Sequence, residues 1–485
     1  MRRWLAVLPL VVAGCAAGPD YVRPATPAPA VYKEAPREGG ALWLPAAPAD
    51  ALDRGDWWRL FDDPELDRLA GEVDAANQTI AGAVASYRQA QAITRQARAS
   101  YYPALSLSGD ASKVGGGKGR SIGTSTGSGS GTSYSLSLDA DWAPDFWGRV
   151  GRAVEGARAS EQASAADLAS ARLSAQGSLA TNYFSLREAD FEIELLARTI
   201  ESYQRALEIT QNRYAAAIVP KTDVLQAETQ LANARASLTT VRANRAVFEH
   251  AIAVLTGKAP GDVTIAPRPW NAIVPAFPLG VPSALLQRRP DIASAERQVA
   301  AANAQIGVQQ AGYYPNLTLS ASLGTAGVAV GDLFKASTAL WSIGASVAQT
   351  VFDAGATAAR VSAAEAARDG AVAHYRQTVL AAFQSVEDQL ADASAQSEQA
   401  AFLKQASDAA DLTEQQVLNR YRVGQLSFTD VVVAQTSALA ARRALSQVAV
   451  NRQLSAIALI QALGGGWNVA APIELESSVR AANPR

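Results

Sequence analysis

The spacing of the apolar positions changes in the same order in each half of the chain. Through Leu66–Ala99 these positions recur every three or four residues, which predicts an amphipathic helix. After the Tyr-Tyr-Pro triplet at 101–103 they alternate with small or polar residues, which predicts strands. The same change follows the Tyr-Tyr-Pro triplet at 313–315. Each half is therefore predicted to contain a helix followed by a β-hairpin.

The alternating apolar residues form four runs. In the first hairpin they are Leu105, Leu107, Tyr134, Leu136, Leu138, Ala140 and Trp142. In the second hairpin they are Leu317, Leu319, Ala321 and Leu323, predicted to pair with Trp341, Ile343, Ala345 and Val347. Runs of about ten residues with this alternation are typical of transmembrane β-strands, although a pair of soluble hairpins on a globular core has the same pattern. Because open strand edges are not tolerated in lipid, four spanning strands would require further copies of the chain.

The segment after each hairpin is long and contains no proline. Gly148–Tyr214 and Ala356–Tyr421 are each predicted to form one helix of about 65 residues, about 100 Å long at 1.5 Å per residue. Apolar and small residues recur at three- and four-residue spacing, as at Ile193, Leu196, Ile200, Tyr203, Leu207, Thr210 and Tyr214. A second seam, on the return helix, contains Leu238, Val241, Arg245, Phe248, Ile252 and Leu255. Such seams predict coiled-coil pairing of neighbouring helices.

One sequence frame occurs twice. Asn-Arg-Tyr, seven residues and Thr-Asp-Val stand at 212–224 and again at 419–431, 207 positions later. Three further landmarks recur in the same order: residues 96–110 match 308–322, residues 142–150 match 349–357, and residues 254–258 match 462–466. The chain is therefore a tandem duplication.

Each copy of this frame lies where a long helix turns back into its partner. Asn-Arg-Tyr ends the first helix, Pro220 or Gly424 marks the bend, and Thr-Asp begins the return helix. Asp223 and Asp430 are predicted to be N-caps or first-turn residues, because a carboxylate there interacts favourably with the helix dipole.

The N-terminus has the layout of a secretory signal. Arg2 and Arg3 precede the apolar run Trp4–Val12, which is too short to span a membrane as a helix. The sequence Val-Ala-Gly-Cys that ends at Cys15 resembles a bacterial lipobox, which implies cleavage before Cys15 and its acylation. Ala16 takes the place of the aspartate that retains such lipoproteins in the inner membrane, so outer-membrane sorting is implied. The alternative is an ordinary signal peptide with an incidental cysteine.

The predicted organisation has six parts, and both repeats have the order helix, hairpin, long helices. The parts are a lipoprotein signal peptide (1–14), an acylated extended segment (15–60), a first structural repeat (61–270), a linker (271–284), a second structural repeat (285–470) and a C-terminal tail (471–485). The two hairpins are placed at about 103–145 and 315–352.

Composition narrows the classes of function. The net charge is −2, so the composition does not predict a basic surface that binds nucleic acid. One cysteine excludes an internal disulfide, and two histidines leave little for a metal site or a nucleophile–base pair. The glycine-rich stretch at 115–120 lacks the Gly-Lys-Ser/Thr of a phosphate loop. The sequence therefore predicts neither an enzyme, nor a metal, nor any cofactor apart from a covalent lipid on Cys15.

Several motifs together resemble one family, the TolC-like outer membrane factors, and within it the NodT-type efflux lipoproteins. They are CAAGPDYVRP, WWRLFDDPELDRL, SYYPALSLS, LQRRPDIASAERQVAAANAQIGVQQAGYYPNLTLS, RYRVGQLSFTDVVVAQ and QALGGGW, which cover nearly all of the chain after Cys15. The resemblance implies a mainly α fold with a small β part. It also implies a homotrimer in the cell outer membrane, in which twelve strands form one β-barrel that continues into a periplasmic α-helical coiled-coil tunnel.

The same resemblance implies a function and its partners. The trimer would be the exit duct of a tripartite efflux system, fed by an inner-membrane resistance-nodulation-division pump through a periplasmic adaptor (membrane fusion) protein. The alternatives are the exit duct of a type I (ABC) protein secretion system and, less favoured, a periplasmic adaptor or tethering lipoprotein.

The resemblance also assigns roles to the hairpin tips. Tyr421 and Asp223, next to Thr222, match positions that bridge neighbouring helix pairs in a closed gate, and Asp430 matches an acidic ring around the pore. The implied adaptor-docking residues are Gly424, Arg420, Arg213 and Pro220. Val433 and Leu426 depart from the family pattern, since they replace an acidic and a basic tip residue.

Overall fold

The computed structural model describes residues 17–26, 32–34, 56–114, 131–275 and 289–465. The predicted signal peptide, Cys15 and the C-terminal tail lie outside these residues. The helices are α1 (Pro64–Ala76), α2 (Gln78–Ala99), α3 (Arg149–Ala215), α4 (Lys221–Leu255), α5 (Pro290–Gln310), α6 (Ala356–Arg422) and α7 (Phe428–Ala462). The strands are β1 (Ala104–Val114), β2 (Gly131–Trp142), β3 (Asn316–Gly327) and β4 (Ala339–Ala348). Short 3-10 turns occupy Trp57–Phe61, Pro260–Asp262, Ala311–Tyr313, Val330–Phe334 and Ala336–Thr338.

The duplication is visible in the backbone. Helices α3 and α6 each have 67 residues, and α4 and α7 each have 35. Residues with positive φ recur 207 positions apart, in the pairs Gly148 and Gly355, Ala217 and Gly424, and Gly257 and Gly464. Both the tandem repeat and the two long helices are thus confirmed.

The predicted helical stretch Leu66–Ala99 is confirmed as helical, but Asn77 divides it into two helices. Helix α1 ends before Asn77, whose φ of −66° and ψ of 125° are those of an extended residue. The Asn77 side-chain oxygen accepts hydrogen bonds from the backbone N–H groups of Thr79 and Ile80, at 2.9 and 3.1 Å. Asparagine competes in this way with helical hydrogen bonds, so it separates two helices by capping the second.

The described chain divides into two compact units, which are treated separately below. The sheet unit comprises Met1–Pro24, Tyr87–Ala163 and Ala295–Tyr375, and the hairpin unit comprises Ala25–Ser86, Ser164–Ser294 and Arg376–Arg485. No helix in the described ranges is both long enough and apolar enough to cross a bilayer.

The sheet unit contains one antiparallel sheet with the strand order β1-β2-β3-β4. The predicted pairing of the second hairpin is confirmed, since Leu317 lies opposite Val347 and Leu323 opposite Trp341. The apolar residues of all four strands share one face, on which Leu138 lies beside Leu323. That face is open to solvent in the single chain, for Trp341 is 75% exposed.

The other face of the sheet is polar. The hydroxyls of Ser108 and Ser137 form a hydrogen bond of 2.7 Å, and the Asp139 carboxylate accepts from Ser137 at 2.8 Å. A second pair, Ser112 and Ser133, is also 2.7 Å apart. The sheet therefore has an apolar face without a core to cover it and a face of small hydroxyl groups.

The hairpin unit is held by the predicted seams. Leu196 of α3 packs with Val241 of α4 and is fully buried. One to two turns farther along α3, Tyr203 packs with Leu231. These contacts confirm pairing between α3 and its return helix.

Arg245 occupies an apolar seam position because it has a buried acidic partner. The Asp190 carboxylate accepts from Arg245 and, at 3.0 Å, from Arg187. The same arginines donate to two backbone carbonyls of the segment that follows α4: Arg187 to Ala266 at 2.8 Å and Arg245 to Ile265 at 2.6 Å. A buried charge network thus attaches the segment that follows α4, at the end of the first repeat, to the helix pair.

Candidate functional site

The two hairpin tips end their first helices in the same way. At the second tip the Gly424 N–H donates to the Tyr421 carbonyl and the Gln425 N–H to the Arg420 carbonyl, each at 3.0 Å. This pair of bonds is a Schellman motif, which requires one residue in the left-handed conformation. Gly424 supplies it with φ of 81°.

The first tip builds the same motif without glycine. The Ala217 N–H donates to the Tyr214 carbonyl and the Ile218 N–H to the Arg213 carbonyl, each at 2.9 Å. Ala217 has φ of 55°, which is unfavourable for a residue with a Cβ. The sequence predicts this bend at Pro220, whereas the structure forms it at Ala217, which stands at the position of Gly424 in the repeat.

Ala217→Gly is expected to stabilise the chain by about 0.5–1 kcal/mol. A residue with a Cβ costs about 1–2 kcal/mol in the left-handed conformation, and glycine removes this cost. The gain exceeds the loss that comes from the higher entropy of glycine in the unfolded chain. Denaturant unfolding followed by helical circular dichroism measures the change. The matched control is Ala216→Gly, one residue earlier at negative φ, which is expected to destabilise. A midpoint for Ala217→Gly at or below that of the wild type would contradict this account.

The return helices begin differently at the two tips. Ser427 is the N-cap of α7, and its side chain and backbone N–H are both bonded to Asp430 in a capping box. Pro220 is the N-cap of α4, with no side-chain cap. Asp223 and Asp430 are therefore first-turn residues and not N-caps, which decides between the two predicted roles.

The proline changes what Asp223 can do. A capping box needs a backbone N–H at the N-cap, and proline has none. Within the described part of the chain the Asp223 carboxylate accepts no hydrogen bond and forms no ion pair, whereas Asp430 accepts from the Ser427 N–H at 3.0 Å. The carboxylate of the first tip is thus left unbonded in the single chain.

Tyr421 is buried between the two tips. Its ring packs edge-on against Phe428 with the centroids 5.6 Å apart, and the Arg213 guanidinium lies 4.5 Å from its centroid. Its hydroxyl is 3.3 Å from the Thr210 hydroxyl. Because Thr210 donates its single proton to the Ala206 carbonyl at 2.8 Å, Tyr421 is the donor of this bond. In the single chain Tyr421 therefore bonds Thr210, and a bond from Tyr421 to Asp223 stays a prediction.

Further contacts attach one tip to the other. Tyr421, Phe428 and Val431 form one buried cluster with Ala227 of α4. Arg213 donates to the Arg422 carbonyl at 3.0 Å. The sequence analysis does not predict Phe428, although it directly follows the capping serine, where an apolar residue can pack, and it predicts Thr210 only as a seam residue and not as the partner of Tyr421.

The remaining predicted tip residues lie on the surface. The exposed residues are Arg420, Gly424, Asp430, Pro220, Thr222 and Val433. The partly exposed residues are Asp223, Arg213 and Leu426. The tip therefore has a buried aromatic centre and a polar surface on which both aspartates stand.

Comparison with known proteins assigns this architecture. The family model described as "Outer membrane efflux protein" matches residues 69–258 and 281–465, with one matched block in each repeat. The chain belongs to the outer membrane efflux protein family.

Individual relatives of this family match along nearly the whole chain. The cation efflux system protein CusC of Escherichia coli is 27% identical over 461 residues, which cover 94% of this chain and 97% of CusC. The pyoverdine export outer membrane protein OpmQ of Pseudomonas aeruginosa is 30% identical over 435 residues, covering 88% and 90%. The solved structure of the outer-membrane channel OprN has a TM-score of 0.82 at 31% identity, covering 93% of this chain and 100% of OprN.

These likenesses confirm three predictions. The chain is an outer membrane component of an efflux system, it resides in the outer membrane, and its fold is that of the outer membrane channels. The relatives are efflux proteins, which supports the efflux interpretation over a secretion duct or a tethering lipoprotein. The family consists of channel proteins rather than enzymes.

Proposed function

We propose that this protein is the exit duct of a tripartite efflux system and works as a homotrimer. Small molecules, either drugs, other toxic compounds or metal ions, would pass through it passively from a resistance-nodulation-division pump and a periplasmic adaptor to the exterior. The observation that carries this proposal is the open four-stranded sheet in a duplicated chain.

The sheet argues for assembly with further copies. Strands β1 and β4 each pair on one side only within the described chain, so two rows of backbone groups lack partners there. A bilayer does not tolerate open edges, and a closed barrel needs about eight strands or more. Three chains with four strands each would supply twelve. The exposed apolar face would then contact lipid, and the serine face would line the lumen.

The duplication fits the same assembly. Each chain contributes two long helical hairpins of equal length. Three chains would place six similar hairpins around one axis, as a tunnel wall requires. The exposed tip residues Gly424, Arg420 and Pro220 would then be available for the adaptor at the far end of the hairpins.

Cargo selection would belong to the pump. The relatives CusC and OpmQ are named for cation efflux and for pyoverdine export, two unlike cargoes carried by one fold. A passive duct needs no catalytic residue and no cofactor. The single covalent group in the proposal is a lipid on Cys15, which would anchor the chain in addition to the barrel.

Purified, detergent-solubilised protein is expected to be trimeric in native mass spectrometry, because its strand edges need partners. The control is the same sample in circular dichroism, which reports whether the β content persists. A monodisperse monomer that keeps its β content would overturn the barrel assignment. A trimer with no conductance in planar bilayers, both in the wild type and in variants of the predicted gate residues Asp223 and Tyr421, would overturn the duct while leaving the assembly standing.

A further inference from the structure

A cavity of about 670 Å³ lies within the hairpin unit, between α3, α6, α7 and the segment that follows α4. One face of α3 lines it with positions 191, 195, 198, 199, 202 and 203. One face of α7 lines it with positions 435, 442, 445, 446 and 449. Ligand sites in proteins are clefts of roughly 300–1,000 Å³ with mainly apolar walls and a few polar groups. The cavity therefore has the size of a site for a small organic molecule.

The segment that follows α4 closes one side of the cavity and is fixed by hydrogen bonds. The Trp270 indole donates to the Gln453 side-chain oxygen at 2.9 Å. The Gln453 amide nitrogen donates to the carbonyls of Asn271 and Ile273, at 2.8 and 3.0 Å. Gln453 is fully buried, so moving this wall inward would break hydrogen bonds that water cannot replace. The fold thus keeps the cavity open.

Aromatic side chains form much of the wall. The Trp270 ring is tilted against Phe191 with the centroids 5.8 Å apart, and both residues line the cavity. Tyr203, Leu195 and Leu445 line it as well. Aromatic rings pack favourably against one another in offset or edge-on arrangements. This wall therefore suits a ligand with an aromatic ring.

The charged residues that line the cavity are already paired. Arg442 donates to Asp411 at 2.8 Å and to Glu414 at 2.7 Å. Arg198 pairs with Glu194 at 3.6 Å. A charged ligand would lose its hydration without gaining an unpaired counter-ion from the described walls. The wall therefore favours an uncharged ligand.

Gln435 lines the cavity from α7 with an amide that lacks partners. Its side chain is 1% exposed, and within the described residues neither its amide oxygen nor its amide nitrogen forms a hydrogen bond. Native proteins rarely leave a buried amide unpaired, because the lost hydrogen bonds with water are not replaced. Neighbouring side chains cover the amide, so it meets a ligand when the side chain rotates into the cavity. A ligand with a donor beside an acceptor, such as another amide, would satisfy both atoms.

We propose that this cavity binds a neutral aromatic amide, whose ring lies against Phe191 and Trp270 and whose amide pairs with that of Gln435. The site lies in the helical wall, so the inference goes beyond the proposed duct and does not depend on it. On α7, Gln435 is one turn from Val431 and two turns from Phe428, which belong to the buried cluster at the tips. A bound molecule would tie α3 to α7 beside the tips and stabilise their packing.

The first test titrates three naphthalene probes of similar shape into intact, detergent-solubilised protein. Naphthalene-2-carboxamide has a donor and an acceptor, 2-acetylnaphthalene keeps only the acceptor, and 2-naphthoate carries a charge. Isothermal titration calorimetry, with protein-free detergent as the blank, is expected to show one carboxamide site per chain. The carboxamide is expected to bind about tenfold more tightly than either other probe, because only it satisfies both amide atoms. No binding of the carboxamide, or equal affinities for the three probes, would overturn the proposal.

The second test locates the bound probe with variants. Gln435→Leu removes the amide at similar size and is expected to abolish the preference for the carboxamide over 2-acetylnaphthalene. Gln447→Leu, at an exposed position of α7 outside the cavity, is the matched control and is expected to keep that preference. Ala449→Phe fills part of the cavity and is expected to weaken binding of both probes. A preference that survives in Gln435→Leu would place the probe elsewhere and refute the assignment.

A third measurement shows whether the Gln435 amide is unpaired in the assembled protein. Without any probe, Gln435→Leu is expected to raise the midpoint of heat unfolding, because an apolar group replaces a buried amide that lacks partners. A lower midpoint would mean that water or a neighbouring chain satisfies the amide, which overturns the proposal. Naphthalene-2-carboxamide is expected to raise the midpoint of the wild type but not that of Gln435→Leu. Conductance of the wild type in planar bilayers tests the proposed duct separately.

Discussion

Replacing Asp190 with alanine is expected to destabilise the chain by about 3–5 kcal/mol, the cost of removing one partner from a buried ion pair. The Asp190 side chain is 4% exposed and lies between Arg187 and Arg245. Its loss leaves two guanidinium groups near one another, with two backbone carbonyls and, for Arg245, the Glu249 carboxylate at 3.4 Å as remaining acceptors. Denaturant unfolding followed by helical circular dichroism measures the effect.

The matched control is Glu194→Ala, one turn farther along α3. Glu194 also pairs with an arginine, Arg198, but both side chains are about two-thirds exposed. Exposed i,i+4 pairs contribute about 0.3–0.5 kcal/mol, so this variant is expected to stay near the wild type. Equal losses in the two variants would mean that the buried network contributes no more than a surface pair.

The same network predicts where the loss first shows. Arg187 and Arg245 donate to the carbonyls of Ala266 and Ile265, in the segment that follows α4. In Asp190→Ala these arginines lose the carboxylate that orients them. Hydrogen–deuterium exchange of residues 263–270 is therefore expected to rise before that of the α3–α4 seam. Uniform exchange in both regions would place the network in the global core instead.

The spacing of apolar residues predicts the strands and the long helices correctly, because each of these elements keeps one periodicity over its whole length. The strands alternate over ten to twelve residues, and their register follows directly once Leu323 is set opposite Trp341. The long helices lack proline, so their ends were placed within one residue of Arg149–Ala215 and Ala356–Arg422. In these segments local preference and tertiary packing agree.

The sequence does not predict features of single residues that depend on polar contacts in the folded chain. Asn77 breaks a periodic segment by capping, which no apolar period reveals. Ala217 adopts the left-handed conformation because the repeat imposes a Schellman motif, although alanine itself opposes it. Arg245 was assigned to an apolar seam, and its partner Asp190 lies 55 residues earlier in the chain. Such pairings depend on the folded structure and on no local pattern.

The candidate gate at the hairpin tips is also predicted only in part from the sequence. The duplicated Thr-Asp identified the tips, but the two aspartates differ because of the residue three positions before each. Ser427 ties Asp430 into a capping box, while Pro220 leaves the Asp223 carboxylate unbonded in the described chain. Identical motifs thus acquire different chemistry from the N-cap that precedes them.

This difference sharpens the test of the gate. In the closed trimer the Tyr421 hydroxyl would exchange its bond to Thr210 for a bond to an Asp223 carboxylate of an adjacent hairpin. Hydrogen bonds to charged groups contribute about 1.5–3 kcal/mol and neutral ones about 0.5–1.5, so the exchange favours closure by about 1 kcal/mol per link. Three links would favour closure by about 3 kcal/mol, roughly a hundredfold in the closed-to-open ratio.

Asp223→Asn is expected to raise the basal conductance of the trimer in planar bilayers, because the charged acceptor is lost while the side chain keeps its size. Tyr421→Phe should have the same effect, since its ring still packs on Phe428 and Arg213, and the double variant should add little to either. Asp430→Asn is the matched control: its oxygen can still accept the Ser427 N–H, so the helix start is kept while the charge is removed. It is expected to weaken cation preference, because a carboxylate ring at a narrow pore favours cations, without raising basal conductance. Additive effects of Asp223→Asn and Tyr421→Phe would show that the two residues act on different partners. Unchanged conductance and selectivity in all variants would leave both aspartates with only their roles in the first helical turn.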